Sequence, residues 1–440
     1  MAHELMALGE WASGADFGAA PQAERVALDQ GMRASLLCAL LGIERESWVW
    51  PYRDTDSIPS ARWLAGLLEP MDGIGHLATL AGAADLDPMD PGPSHTVLPA
   101  TLAACVVGGS EADITSGVLA GVEVGWRMRR CVSGARPGIG FHSAGVYGAI
   151  AAAAAGARAL RLQPEACANA MAIALTRSAG LALNSAASMI GMTHFGWGAA
   201  HGLESALLAE QGWDASHDLD KALSNLFGGG NVDTASLLGD SAAPSAAASL
   251  VFKRYPCNIY LNALVTLLEK VAHRPVDRIE IHMPWIPHLD CPNPRDVRQA
   301  RNSAQAVAAI AGAGPVSYAA FSGPAGPWVP QPAVAALLPK VALVADRSAP
   351  TRLSEAVVGV RAWCGGQQVL DERRATRELG GWGEEHARTL FGDDPTRSLV
   401  DDIYRGSVAE AYQTVRQRRL ASLAAHKHST QGDSNGSTRG

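Results

Sequence analysis

The feature that most constrains this chain is a run without any charged side chain, residues 138–157, which consists mostly of alanine and glycine. Alanine has the highest intrinsic helix propensity, and helices faced with small side chains can approach one another closely. The run therefore predicts a helix at the centre of a tightly packed helical core. It is long enough to span a membrane, but Ala and Gly favour insertion only weakly and His142 opposes it. We expect a buried helix of a soluble protein.

Composition sets the class of protein and argues against several partners. The 440 residues are enough for two domains, and 48% hydrophobic with 18% charged residues is typical of a globular chain. A net charge of −7 without a long basic cluster argues against nucleic acid as a partner. Seven scattered cysteines without a CxxC pair predict reduced thiols, and the N-terminal segment lacks the apolar run of a signal peptide. We expect a cytoplasmic protein that binds neither nucleic acid nor membrane.

The spacing of apolar residues changes once along the chain. Up to about residue 250 it is helical, as in VLPATLAACVV and DITSGVLAGVEVGWRMRR, and Pro164 followed by an acidic residue predicts the start of a further helix. Later, DRIEIHMP, VALVAD and AVVGVRAWCGGQQVLD have the pattern of strands, the last with a Gly365-Gly366 hairpin turn. Helical spacing returns in SLVDDIYRGSVAEAYQTVRQRRLASLAA.

This change of spacing predicts the domain organisation. The fold class is α plus α+β: a large all-helical domain with a smaller inserted α+β domain. The helical domain comprises residues 1–250 and is completed by about 386–420. Residues 251–385 form the α+β domain, and the polar tail, residues 421–440, is expected to be disordered.

Motifs that would indicate a metal or a bound phosphate are absent from the sequence. The thirteen histidines are scattered without the spacing of a ligand cluster. The glycine turns GGSEAD and GGGN do not lie between a strand and a GK[ST] helix. We therefore predict no metal and no cofactor.

Several segments occur in an order that has a counterpart in a known family. They are GFHSAGVYGAIAAAAAGARALRLQPEACANAMAIALTRSAGL, SMIGMTHFGWGAAHGLESALLAEQG, FKRYPCNIYLNAL and NPRDVRQARNSAQAVAAIAG. Together they resemble the MmgE/PrpD family, which includes 2-methylcitrate dehydratases, cis-aconitate decarboxylases and iminodisuccinate epimerases, over about residues 4–420. The resemblance implies a homodimer without metal or organic cofactor. It also implies a site between the helical domain and an α+β lid, where a proton, water or CO2 is removed next to a carboxylate.

The resemblance also implies catalytic residues. His142 matches the histidine of the family's Gly-Phe-His motif and would transfer a proton near neutral pH. Lys253 matches the lysine before Arg-Tyr-Pro and would grip a carboxylate or carry a proton. Asp87 corresponds to the first acid of an Asp-rich stretch. The alternatives are a packed core histidine and an exposed lysine.

The chain departs from the family pattern at several polar positions. Gly92 stands where the family has a histidine, and His95, three residues later, is predicted to replace it or to serve only packing. Gly191 stands at a family lysine and Ala306 at a tyrosine of the decarboxylases. The predicted substrate-binding residues are Ser94, His194, Trp197 and Asn258, the last at a position where many members carry histidine. Fewer cationic groups predict a substrate with fewer carboxylates and more apolar or aromatic bulk.

The sequence therefore predicts a cofactor-independent lyase of the dehydratase or decarboxylase type, acting on an atypical small carboxylate or carbonyl substrate in a specialised pathway. An isomerase, epimerase or cyclase that uses the same proton transfer is an alternative. A non-catalytic relative is a third. The expected partners are the small-molecule substrate and a second copy of the chain. The predicted catalytic residues are His142, Lys253, His95 and Asp87.

Overall fold

The structure is a computed structural model. It describes residues 3–45, 73–90, 95–132, 140–184, 189–228, 232–238, 245–323, 327–379, 381–392 and 397–434. Helices dominate the part before residue 250: α1 His3–Ser13, α2 Gln22–Arg45, α3 (73–83), α4 Val97–Val107, α5 Glu111–Cys131, α6 Ser143–Ala159, α7 Pro164–Arg177, α8 Thr193–Glu210 and α9 Leu219–Phe227. The later helices are α10 Ile259–Leu268, α11 Val297–Arg301, α12 Ala304–Gly312, α13 Pro332–Leu337, α14 Glu384–Phe391, α15 Arg397–Tyr404 and α16 Val408–Ser434.

The alanine-rich helix α6 lies at the centre of the helical part. It packs against α4, α5, α7 and α8, and nearly all of its residues are buried. A Cβ added to Gly202 of α8 would lie 2.4 Å from the carbonyl oxygen of Ala149, and one added to Gly121 of α5 would lie 2.5 Å from that of Ala151. No side chain fits between these backbones, so the small residues are needed for the close packing that the sequence predicted.

The four strands of the described residues form one mixed sheet. They are β1 Arg278–Pro284, β2 Val341–Asp346, β3 Val357–Cys364 and β4 Gln367–Ala375, in the order β2-β1-β3-β4. β1 is parallel to β2 and antiparallel to β3, which forms a hairpin with β4. Gly365 and Gly366 have φ of 57° and 79°, the left-handed values that a tight hairpin turn requires. Helices α10 and α12 pack on this sheet, which confirms a helical protein with a smaller α+β part.

The last helices return to the N-terminal part of the chain. α15 and α16 pack against α2, and the Glu111 side chain at the start of α5 accepts hydrogen bonds from the main-chain N–H groups of Val408 and Ala409, each at 3.0 Å. These contacts are those expected if the C-terminal helices complete the helical domain. The domain boundaries themselves stay a prediction.

The C-terminal tail requires a correction. The polar composition predicts disorder over residues 421–440, whereas α16 continues to Ser434 and residues 435–440 lie outside the described part. The first residues after 420, ASLAAHK, include three alanines, a leucine and a lysine, which are strong helix formers. They continue α16 past the boundary that the polar composition predicted.

One described helix is long and apolar enough to cross a membrane by length and composition. This helix is α2, and 72% of its most apolar window is buried within the protein. It packs against α4, α15 and α16. This burial is the environment of the core helix of a soluble protein.

Candidate active site

A cavity of about 730 Å³ lies where the helical part of the chain meets the segment 287–302. Its polar wall from the earlier part of the chain includes Asp85, Asp87, His95, His142 and Lys253. From the segment 287–302 it includes Asp290, Arg295, Arg298 and Arg301, and its apolar wall includes Met89, Leu183, Met192, Phe195 and Ile259. The four residues that the sequence predicted as catalytic therefore line one cavity.

Asp87 joins His95 and Lys253. Its Oδ2 atom accepts a hydrogen bond from His95 Nδ1 at 2.6 Å, and its Oδ1 atom accepts one from Lys253 Nζ at 2.9 Å. Burial alone would favour the neutral acid, but Lys253 and His95 outweigh it and hold the pKa of Asp87 well below its ordinary value. Because an ionised carboxylate can only accept, Nδ1 of His95 carries a proton, and Nε2 is the nitrogen of this ring that can act as a base.

Lys253 is held by two carboxylates. Its Nζ atom also donates to Asp85 Oδ1 at 2.5 Å. Burial disfavours the ammonium, but Asp85 and Asp87 outweigh it and raise the pKa of Lys253 well above its ordinary value. Lys253 therefore keeps its proton near neutral pH, and the carboxylates of Asp85 and Asp87 neutralise its positive charge. These contacts favour a role in holding Asp87 over the predicted roles of gripping a substrate carboxylate or carrying a proton.

A short main-chain bridge brings the acid and the ammonium together. Met89 N donates to Val251 O, and Val251 N donates to Met89 O, each at 2.9 Å. Asp87 precedes this bridge by two residues on one segment, and Lys253 follows it by two on the other. The bridge thereby fixes the separation of two side chains that are far apart in sequence.

His142 lies at the N-cap of α6, and its Nδ1 atom is 3.0 Å from Nδ1 of His194. Its main-chain N–H donates to the carbonyl oxygen of Gly180 at 2.8 Å. Gly180 has φ of +118°, and a Cβ there would lie 3.1 Å from the His194 ring, so glycine is required beside this pair. Burial, followed by the influence of His95 and His194, lowers the pKa of His142 well below its ordinary value. His142 is therefore a neutral imidazole near pH 7.

The His95 and His142 rings converge on the cavity. Their centroids are 5.4 Å apart, and the Phe195 ring contacts both edge-on, at 5.0 Å and 5.7 Å. A base nitrogen on His95 and a neutral imidazole on His142 can therefore reach one small molecule. This geometry places His95 in the site.

The predicted substrate-binding residues differ in their positions. Asn258 lines the cavity, and its Nδ2 atom donates to Asn302 Oδ1 at 3.0 Å. Its Oδ1 atom also caps α10 by accepting from Tyr260 N. Asn258 can therefore present only part of its hydrogen-bonding capacity to a ligand.

His194 and Trp197 are not part of the cavity wall. His194 contacts the ring of His142, and the Trp197 ring lies beyond His194, with centroids 6.0 Å apart. Trp197 is 43% exposed. Their role in substrate binding stays a prediction, and His194 is instead within hydrogen-bond distance of His142. Ser94 lies outside the described residues.

Comparison of the sequence with models of known protein families gives a match. Residues 78–225 match the family model of the MmgE/PrpD N-terminal domain. This match supports membership in the MmgE/PrpD family. Members of this family are generally lyases and dehydratases. A search of curated protein sequences finds no significant match. The matched segment includes Asp87, His95 and His142, whereas Lys253 and the arginines of the cavity follow it.

Three arginines of the cavity were not among the residues predicted from the sequence. Arg295, Arg298 and Arg301 all line the cavity and are spaced three residues apart. Arg301 is 2% exposed and donates to the carbonyl oxygens of Ala83 and Phe321. Arg298 and Arg301 lie in α11, where a spacing of three residues places two side chains on one side of a helix, whereas Arg295 precedes α11 and has no such signal. The expectation of a site poor in cationic groups is therefore wrong.

The carboxylates beside His95 and Lys253 are already engaged within the protein. In the part of the chain that the structure describes, no group of three His, Cys, Asp or Glu side chains is arranged to hold a metal ion. Asp85 and Asp87 instead bind Lys253. The absence of a metal or cofactor requirement stays a prediction.

Proposed function

We propose that this protein is a cofactor-independent lyase of the dehydratase or decarboxylase type, acting by proton transfer at the carbon next to a carboxylate or carbonyl group. The observation that carries the proposal is the Asp87–His95 pair, with its 2.6 Å hydrogen bond inside the cavity. A buried carboxylate that receives Nδ1–H fixes the tautomer of the imidazole and stabilises the imidazolium that forms when Nε2 takes a proton. His95 is therefore the proposed general base.

His142 and the arginines would stabilise the negative charge that develops on the substrate when its proton is removed. A neutral imidazole keeps one N–H group, which can donate a hydrogen bond to a developing oxyanion. Arginine side chains can bind a carboxylate through two parallel hydrogen bonds. In this proposal Lys253 is a positioning residue that keeps Asp87 ionised and in place.

The two histidines also favour a second candidate function. With ring centroids 5.4 Å apart, one imidazole could remove a proton from carbon and the other could return it to a different face. This would be an epimerase or isomerase reaction, in which no group is lost. Product mass distinguishes it from the lyase reaction.

The test is deuterium exchange at carbon, followed by measurement of product mass. Hydroxy, keto and unsaturated carboxylates are incubated with the protein in D2O and followed by proton NMR and mass spectrometry. We expect exchange next to the carboxylate and loss of water or CO2, with both rates about 10²–10⁴-fold lower in His95→Gln. The exposed His273 gives a matched control, His273→Gln. Equal rates in His95→Gln and the control would refute the assigned base. A product that has lost neither water nor CO2, and whose mass differs from that of the substrate only by incorporated deuterium, would favour the isomerase.

We propose three further properties, which rest on the family resemblance and on the composition of the chain. Residues 251–385 would act as a lid over the helical domain, because the segment 287–302 supplies part of the cavity wall. The chain would form a homodimer in the cytoplasm. It would need only its small-molecule substrate, without metal, nucleic acid or membrane.

A further inference from the structure

We propose that the substrate of this cavity is a monocarboxylate with an apolar body, and that Arg295 rather than Lys253 anchors its carboxylate. This inference rests on the proposed function only in taking the cavity as the active site. It names a substrate class and an anchoring residue. Three features of the cavity support it: the charge around Lys253, the setting of Arg295 and the apolar wall.

The charge around Lys253 does not favour a bound carboxylate. Asp85 and Asp87 both accept from its ammonium, so two negative charges face one positive charge there. His142 is neutral near pH 7. A substrate carboxylate placed against this group would meet a net negative environment, and like charges at such distances repel.

Arg295 is the cation of the wall that is best placed to take an anion. Its main chain is held at both ends, since its N–H donates to Gln299 Oε1 at 2.9 Å and its carbonyl oxygen accepts from Trp328 N at 2.8 Å. Among the described residues, its guanidinium makes no hydrogen bond or ion pair. By contrast, Arg298 lies 3.5 Å from an Asp296 carboxylate oxygen, and Arg301 donates to main-chain carbonyl groups. Arg295 thus combines a fixed backbone with an available bidentate donor.

The rest of the wall suits an uncharged body. Phe195, Met89 and Ile259 present buried apolar side chains, and Leu183 lines the cavity while remaining 79% exposed. The volume of about 730 Å³ lies within the range of about 300–1,000 Å³ that is usual for ligands of drug size. One cationic anchor beside such a wall fits one carboxylate on a larger apolar molecule better than it fits a compact tricarboxylate.

Two saturated acids that lack a leaving group test the anchor without requiring turnover. Isothermal titration calorimetry compares 3-phenylpropanoate, an apolar monocarboxylate, with tricarballylate, a compact tricarboxylate. We expect the wild-type chain to bind 3-phenylpropanoate more tightly. Arg295→Gln should weaken that binding about tenfold or more, the loss expected for a charge-assisted hydrogen bond, and Arg295→Lys should restore part of it. Arg352, which is 77% exposed and paired with Glu355, gives the matched control Arg352→Gln, with unchanged affinity.

A second pair of variants tests the apolar wall. Leu183→Ser should weaken 3-phenylpropanoate several-fold, whereas Leu181→Ser, at a residue that is 55% exposed but does not line the cavity, should not. Tighter binding of tricarballylate, unchanged affinity in Arg295→Gln, equal effects of the two leucine variants, or no binding of either acid to the wild type would each overturn the proposal. Failure of every candidate substrate to react would count against the lyase but would leave these binding results standing.

Discussion

Replacing Asp87 by asparagine removes one charge from the centre of the site and keeps the shape of the side chain. Asp87 is 1% exposed and Lys253 is 3% exposed, so the substitution leaves a buried ammonium with Asp85 as its remaining carboxylate partner. Removing one partner of a buried ion pair costs about 3–5 kcal/mol. Because Asp85 and the asparagine oxygen still accept hydrogen bonds, we expect the lower end, about 3 kcal/mol of unfolding free energy.

The pH dependence of stability gives this prediction a second and sharper measurement. The pKa of Asp87 is lower in the folded protein than in the unfolded chain. Its ionised form therefore contributes stability that is present above about pH 4, the ordinary value for aspartate, and is lost progressively as the pH falls below it. The stability difference between wild type and Asp87→Asn should thus be full at pH 7 and should narrow below about pH 4.

The assay is urea unfolding at a series of pH values, with turnover measured on the same samples. Asp214→Asn, at an exposed aspartate, is the matched control and should change stability by less than about 0.5 kcal/mol. Turnover of Asp87→Asn should fall by about 10⁴-fold, as in triads whose aspartate is replaced by asparagine, because the His95 tautomer is no longer fixed. A variant as stable as wild type at pH 7, or a difference that stays constant to low pH, would refute the ionised, paired state of Asp87.

Four further predictions follow from the same structure. His142→Ala should lower turnover by about 10²–10⁴-fold with little change in melting temperature, and near-normal turnover with a clearly lower melting temperature would instead identify a packing residue. Gly180→Ala should destabilise the protein by about 1–3 kcal/mol and perturb the NMR signals of His142 and His194, since its φ is +118° and its Cβ would meet the His194 ring; unchanged signals would contradict the tight contact. Sedimentation equilibrium at micromolar concentration should give a dimer, with an interface well above about 800 Å², and a monomer would count against it. Dialysis against EDTA should leave turnover intact, and a stoichiometric metal in active protein would overturn this expectation.

Local sequence determined the secondary structure and the fold class. Pro164 begins α7 as expected, because its fixed φ suits the first turn of a helix. The alternation in β1 buries Ile279 and Ile281 on one face, as the period of a strand requires. The alanine and glycine content of α6 likewise determined its position at the centre of the helical core, since only small side chains allow such close backbones. Helix starts, strand alternation and small-residue packing depend on residues that are close in sequence, so they can be predicted from the sequence alone.

Only the tertiary structure decided what the site contains. Asp87 and Lys253 are 166 residues apart, and it is the bridge between Met89 and Val251 that makes them partners. The family pattern indicated Lys253 as a functional cation, but its charge state and availability depend on Asp85, which no local pattern connects to it. The position of Arg295 in the cavity wall depends in the same way on how the segment 287–302 folds against the helices. Propensity and periodicity act over a few residues, whereas the charge balance of a cavity is a sum over every segment that reaches it.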